Sequence, residues 1–244
     1  MLTKNQIKLI ARLGQKKFRM QHQLFVVEGK KGVEEFLNSN VVLHQLFATV
    51  DDFECDTKKF ILVTEAELKK ISNLATAQTA LALFEIPKPK HIEKKGLILA
   101  LDAVRDPGNL GTIIRLCDWF GIEHLVCSNT TVDCYNPKVV QATMGSLSRV
   151  QIAYVDLEAF LKTSKAQKFG AFMNGTNVYQ TNLPQSGILV LGNEANGISA
   201  AIETLINQKI SIPRFGNLQT TESLNVATAT AILLSEFCRR TTEM

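Results

Sequence analysis

The sequence is short of the features that mark several large protein classes. Its five cysteines (Cys55, Cys117, Cys127, Cys134 and Cys238) form no C-x-x-C pair. An odd, scattered set of thiols fits the reduced state of a cytoplasmic protein. Its four histidines (His22, His44, His91 and His124) are equally dispersed, so no metal-ligand spacing arises and no metal is expected. No unbroken apolar run approaches the roughly 20 residues of a membrane span, and no membrane partner is expected. The start, MLTKNQIKLIARLGQKK, lacks the central apolar block of a secretory signal. It is basic but poor in serine and runs straight into patterned sequence, so it reads as structural. The expected G-x-G-x-x-G turn is missing, as are G-x-x-x-x-G-K-[ST] and G-x-S-x-G, which argues against dinucleotide, P-loop and serine-hydrolase chemistry. Internal repeats and low-complexity tracts are also absent.

What is present describes a globular chain. Its 244 residues are 45% hydrophobic and 20% charged, enough for one large or two small domains with a proper core. The net charge of +4 permits an anionic partner without requiring one. Its distribution is more informative. Lys4, Lys8, Arg12 and Lys16 recur every four residues and predict one face of a helix over 4–19. Lys17 and Arg19 extend the patch, and no acid precedes Glu28. The face fits either solvent or a phosphate backbone.

Strands are expected at 24–29, 41–50, 59–63 and 80–86, with short helices from Lys31 and Thr64. This small α/β domain covers 1–86. PKPKHIEKK (87–95), with two prolines, several lysines and no apolar pattern, reads as a linker. The second domain, 96–244, alternates regularly. Strands are expected at 97–102, 124–128, 149–155, 169–173, 187–192 and 209–213, and helices near 111–120, 136–147, 157–167, 198–207 and 224–240. The nearly continuous aliphatic strands predict a mainly parallel sheet covered on both faces.

Three polar loops would leave the C-terminal ends of its strands, the edge where open α/β sheets bind ligands. The first lies in DAVRDPGNLGTIIRLCDWFG (102–121). There a helix is expected from Gly111, with Asn109 before it and Arg115 in its second turn. Its N-terminus would suit an anion; an ordinary β–α connection with a solvated arginine would look the same. The second is LGNEANGIS (191–199), where Glu194 sits between Gly192 and Gly197. Those glycines would let a ligand approach the backbone, and an exposed turn glutamate is the alternative. The third is IPRFGNLQTTESLNVATA (212–229). Helix capping alone could explain Ser223 and Asn225, and the long polar loop before them points to a site.

Taken in order, PGNLGTIIR, LVLGNEANGIS and IPRFGN…SLNVATATAILLSE resemble the three motifs of the SpoU (TrmH) family of RNA ribose 2′-O-methyltransferases. YNPKVVQATMGSLSRV (135–150) is similar to the segment between the first two. The N-terminal unit resembles the L30e-like substrate-binding domain of many members, so the resemblance covers nearly the whole chain. It implies an α/β-knot (SPOUT) domain with a deep trefoil knot, a homodimer, and S-adenosylmethionine as methyl donor. Gly192, Ile212 and Leu224, with Leu191, Asn193 and Gly197 around them, would bind the donor. Arg115 would be the catalytic arginine, and Asn109, Glu194, Ser223 and Asn225 would complete the active site. The family often has arginine and serine where this chain has Gln141 and Thr143. IPRFG stands where IPM is common, so Arg214 would add a phosphate contact at the rim.

The expected function is methylation of a ribose 2′-hydroxyl in a structured RNA, ribosomal RNA ahead of transfer RNA. An RNA phosphate is expected at the helix N-terminus within 102–121. A knotted methyltransferase acting on tRNA or on a base, and an inactive RNA-binding relative, are the alternatives.

Overall fold

The computed structural model describes residues 2–89, 92, 96–216 and 223–239. They form two compact units. Unit 1 is Met1–Lys88 with Asp133–Arg149, and unit 2 is Pro89–Val132 with Val150–Met244. The first division falls inside the segment read as a linker. The second differs from the sequence reading, because residues 133–149 cluster with unit 1 and not with the rest of 96–244.

Unit 1 begins with α1 (Lys4–Leu13) and α2 (Lys16–His22), followed by β1 (Leu24–Glu28), α3 (Lys30–Leu37), β2 (Leu43–Ala48), β3 (Phe60–Leu62), α4 (Glu65–Lys69) and β4 (Ala80–Glu85). Its sheet runs β1-β4-β2-β3. β4 is antiparallel to both neighbours, and β2 is parallel to β3. Thr3 and Thr64 start α1 and α4 with capping boxes, each satisfying two otherwise orphan donors.

The single helix expected over 4–19 is instead two, broken at Gly14 and Gln15. Arg19 accounts for the break. It is only 2% exposed, and its Nη1 donates to the carbonyls of Leu13 (2.8 Å) and Gly14 (3.0 Å), two carbonyls left over at the end of α1. Its Nε and Nη2 reach Asp133 Oδ2 at 3.1 and 2.5 Å. A straight helix would carry Arg19 along the solvated face; the break turns it inward. Arg19 is therefore removed from the RNA-facing set.

The same ion pair explains why 133–149 joins unit 1. Here α6 (Pro137–Thr143) is followed by a short 3-10 turn. Tyr135 lies 4.8 Å from the Phe25 ring, and Arg149 pairs with Glu35 at 2.5 Å. Gly145 (φ +97°) passes so near Glu35 that a Cβ would fall 2.6 Å from that side chain. Thr143 is buried, its hydroxyl donating to Val140 O, while Gln141 is exposed.

Unit 2 contains β5 (Leu97–Leu101), α5 (Pro107–Trp119), β6 (His124–Ser128), β7 (Gln151–Val155), α7 (Leu157–Thr163), β8 (Lys168–Asn177), β9 (Gly187–Leu191), α8 (Ala200–Glu203), β10 (Gln208–Ser211) and α9 (Val226–Cys238). Its strands run β10-β8-β9-β5-β6-β7, and every pairing is parallel. LILAL and GILVL sit side by side at the centre and are almost wholly buried, as a sheet covered on both faces requires. The chain proceeds from β5 toward β7 on one side and then crosses back to β8 on the other. The order therefore reverses at β5 and β9, and a crevice at their C-terminal ends follows from that reversal.

Candidate active site

The first loop differs from its sequence reading. α5 starts at Pro107, four residues before Gly111. Asp106 is the N-cap, its Oδ1 accepting from Asn109 N at 2.8 Å, and Pro107 occupies the first helical position. That pair is a start signal in its own right, because proline's missing N–H would be unsatisfied there anyway. Asn109 therefore lies within the first turn, and Arg115 lies in the third. Glycines 108 and 111 are tolerated inside the helix rather than marking a loop.

The second loop is set by close backbone approach. A Cβ on Gly192 would fall 2.0 Å from Gly197 C and 2.2 Å from Ile198 N. Gly197 has φ +68°, and its N–H and carbonyl exchange hydrogen bonds with Asn193, both at 2.9 Å. Gly192 is thus required by the chain's own fold. The Asn193 side chain is spent on this loop and the first. Its Oδ1 accepts from Ala195 and Asn196 N–H, and its Nδ2 donates to Ala103 O at 2.7 Å. Leu191 is 1% exposed, and its carbonyl accepts from Asp102 N. It belongs to the core and offers no side chain to a donor.

Glu194 ties this loop to the first. Its Oε1 accepts from Asp106 N (3.2 Å) and Asn109 Nδ2 (3.1 Å), and its Oε2 from Arg105 N (3.3 Å) and Asn193 Nδ2 (3.3 Å). The anion at the start of α5 is therefore the protein's own carboxylate, not the RNA phosphate expected there. Partial burial pushes the Glu194 carboxyl up. The Asn109 amide and the backbone N–H groups of Glu194, Arg105 and Asp106 outweigh that and hold it below the ordinary carboxylate value.

The third loop closes the chain of contacts. Asn225 caps α9, its Oδ1 accepting from Ala227 N (2.9 Å) and Thr228 N (3.2 Å). Its Nδ2 also donates to Asn109 Oδ1 at 2.8 Å. Capping thus leaves the Asn225 amide free to reach the first loop. Asn225, Asn109 and Glu194 form one continuous hydrogen-bonded series across all three loops.

Ser223, Leu224 and Arg214 are exposed, and Ile212 is half-buried. Residues 217–222, which carry the middle of the third loop, lie outside the described residues. Arg115 is exposed and has no hydrogen-bond or ion-pair partner among the described residues. Lys4, Lys8, Arg12, Lys16 and Lys17 are also exposed, in unit 1.

Sequence reasoning missed two supports. Asp102 is buried, and its Oδ2 accepts from Ser199 N at 2.8 Å, holding the far end of the second loop. Ala103 has φ +58°, an uncommon conformation for a residue with a Cβ. Ser128 Oγ accepts its N–H at 2.9 Å while Asn193 takes its carbonyl. The position of Asp102 at a strand end gave a hint; nothing local marked Ala103. No group of three or more His, Cys, Asp or Glu among the described residues is placed to hold a metal.

Comparison with known proteins is consistent with this layout. Residues 96–235 match the SpoU rRNA Methylase family, and residues 4–82 match the MRM3-like substrate binding domain. The chain is 31% identical over 241 residues to the 23S rRNA (guanosine(2553)-2′-O)-methyltransferase RlmP of Bacillus subtilis, covering 95% of each. Among solved structures it resembles a TrmH-family protein from Porphyromonas gingivalis, with 39% identity, TM-score 0.90, and 98% and 99% of the two chains covered. It also resembles an AdoMet-bound rRNA methyltransferase from Sinorhizobium meliloti, with 30% identity, TM-score 0.87, and 98% and 96% covered.

Proposed function

This chain belongs to the SpoU rRNA Methylase family, and from that membership we propose that it transfers a methyl group from S-adenosylmethionine to a ribose 2′-hydroxyl of ribosomal RNA. The observation that carries the reading is the Asn225–Asn109–Glu194 series. It draws three separate loops to one sheet edge and leaves the Arg115 guanidinium exposed on α5.

The residues at this edge fit the methyl donor. A Cβ on Gly197 would meet nothing within 4 Å, so the second loop presents open backbone. Leu224 and Ile212 offer apolar surface for an adenine. When bound, the donor supplies a methyl already activated by its sulfonium. The protein's own task is then to bind, orient and accept a proton. A ribose hydroxyl is a poor nucleophile near neutral pH, and positioning accounts for much of the gain. A guanidinium keeps its proton far above neutral pH and is an awkward base. Arg115 therefore grips the substrate phosphate, and that assembly takes or relays the hydroxyl proton. Asn109 and Asn225, each fixed by the other, direct their remaining polar capacity at the ribose, and Glu194 holds both loops in place. Ser223 and Arg214 contribute at the rim.

The finer points of the reading rest on the same grounds. Residues 1–86 act as the RNA-binding domain through Lys4, Lys8, Arg12, Lys16 and Lys17, with 87–95 as the linker and the knot within 96–244. The protein acts in the cytoplasm as a homodimer and uses no metal. Support for the dimer lies on α5, where exposed Gly108, Thr112, Arg115 and Trp119 fall on one stripe. Trp119, at 83% exposure, is the kind of aromatic enriched in interfaces.

Calorimetry and turnover on Arg115→Ala test the site. Donor affinity should stay within about two-fold, and turnover should fall by about 10²-fold or more, in the range for loss of a group acting on developing charge. Full turnover in the variant removes Arg115 from the mechanism.

A further inference from the structure

β8 and β10 run parallel and end together, with Asn177 opposite Ser211. Just past these ends the chain places Tyr179 on a short 3-10 turn and Phe215 in the loop after β10. Their ring centroids lie 6.2 Å apart with planes tilted by 34°. Phe215 is 82% exposed and Tyr179 is 40% exposed. The tyrosine is held firmly. Val178 beside it is buried, Asn177 Oδ1 accepts the Tyr179 N–H at 3.0 Å, and Thr181 Oγ1 donates to Asn177 O at 2.8 Å. A ring on a well-anchored backbone turn thus backs an almost fully exposed one.

Among the described residues the pair's chain neighbours Gln180, Arg214 and Gly216 are exposed and not apolar, unlike the wide apolar surface that a protein partner needs. Its surroundings suit a flat, amphipathic group with an anion attached. The pair also stands on the edge of the sheet that carries the Asn109–Glu194–Asn225 series, with Phe215 three residues beyond Ile212. Single-stranded RNA with unstacked bases is the usual target of sequence-specific recognition, and such bases are commonly received on aromatic side chains.

We infer that Tyr179 and Phe215 form a stacking platform for an unpaired nucleobase flanking the methylated ribose, with Arg214 beside the adjoining phosphate. The inference rests on the RNA-methyltransferase reading above. It adds a substrate-positioning element that neither the donor pocket nor the basic face of α1 supplies.

The test compares Phe215→Ala, Phe215→Leu and Phe215→Trp in the full-length protein. The substrate is ribosomal RNA extracted from cells lacking the gene. The readouts are KM for RNA, kcat, donor affinity by calorimetry, and sedimentation. One stacked base corresponds to about 5- to 150-fold in affinity. We expect the alanine and leucine variants to raise KM for RNA by about ten-fold, with kcat changed much less and donor affinity within two-fold. Tryptophan should restore KM, because leucine keeps apolar bulk while only an aromatic ring stacks. Several results would overturn the platform: an unchanged KM in Phe215→Ala; full rescue by leucine; donor affinity falling in step with RNA affinity, which would place Phe215 in the donor pocket; or an altered sedimentation coefficient, which would make the pair a subunit contact. If the wild-type protein transfers no methyl group to this RNA, the reading of the preceding subsection fails instead. A ten-fold loss of RNA retention on filters by Phe215→Ala then decides the platform separately.

Discussion

Glu194 has a role that its local sequence understates. In GNEANG it looks like an exposed turn glutamate, yet its two oxygens take four donors from two loops. An N-terminal helix turn attracts negative charge, and here the chain supplies that charge itself, about 90 residues away in sequence. That distance is why the sequence suggested an RNA phosphate at the same place. The pH dependence follows from the depressed carboxyl. A lowered folded-state value means that the stabilising contribution is complete above the unfolded value and is lost as pH falls through the folded one. The Tm gap between wild type and Glu194→Gln should therefore be constant above about pH 5.5 and shrink as the pH drops below about 4. A gap independent of pH would mean that the charge contributes nothing and only the shape of the side chain matters.

At the scale of elements, periodicity located most strands and helices to within a few residues, because the aliphatic runs and the three- and four-residue spacings are strong. The failures have separate causes. α5 begins earlier than its two glycines suggest, because the Asp106–Pro107 start signal prevails over them. The break between α1 and α2 was invisible because it depends on Asp133, more than 110 residues onward, receiving Arg19. The six basic residues counted together in the sequence therefore divide. Replacing Arg19 with alanine leaves a buried carboxylate unpaired and should cost about 3–5 kcal/mol of stability, seen as an earlier denaturant midpoint. Reversing Lys4, Lys8 and Arg12 to glutamate should leave the midpoint nearly unchanged and weaken RNA binding. The salt dependence should flatten by about two units of log–log slope if all three meet phosphates. Equal RNA loss from both sets, with no stability difference, would contradict this division.

For the whole molecule, the two units divide within 87–95, but residues 133–149 return to unit 1, which the sequence does not signal. That return is made by the buried Arg19–Asp133 pair, the Arg149–Glu35 pair, the Tyr135–Phe25 contact and Gly145 passing Glu35. Each partner is unremarkable in its own stretch. The Asn109, Glu194 and Asn225 set was legible because three motifs in order carry it, whereas Asp102, Ala103 and the Tyr179–Phe215 pair depend on packing that no motif spells out. The exposed α5 stripe bears on assembly. If the proposed dimer forms through this stripe, Trp119→Lys should yield monomer where the wild type sediments as dimer at micromolar concentration. A wild-type protein that is already monomeric there would remove the dimer from the account.

The most direct test is where the methyl group goes. The protein would be incubated with methyl-labelled S-adenosylmethionine and ribosomal RNA from cells lacking the gene, and the RNA digested to nucleosides and separated. Ribose 2′-O-methylation predicts label in a single 2′-O-methylated nucleoside. Label on a base carbon or nitrogen, or no transfer by a protein that still binds the donor, would contradict it.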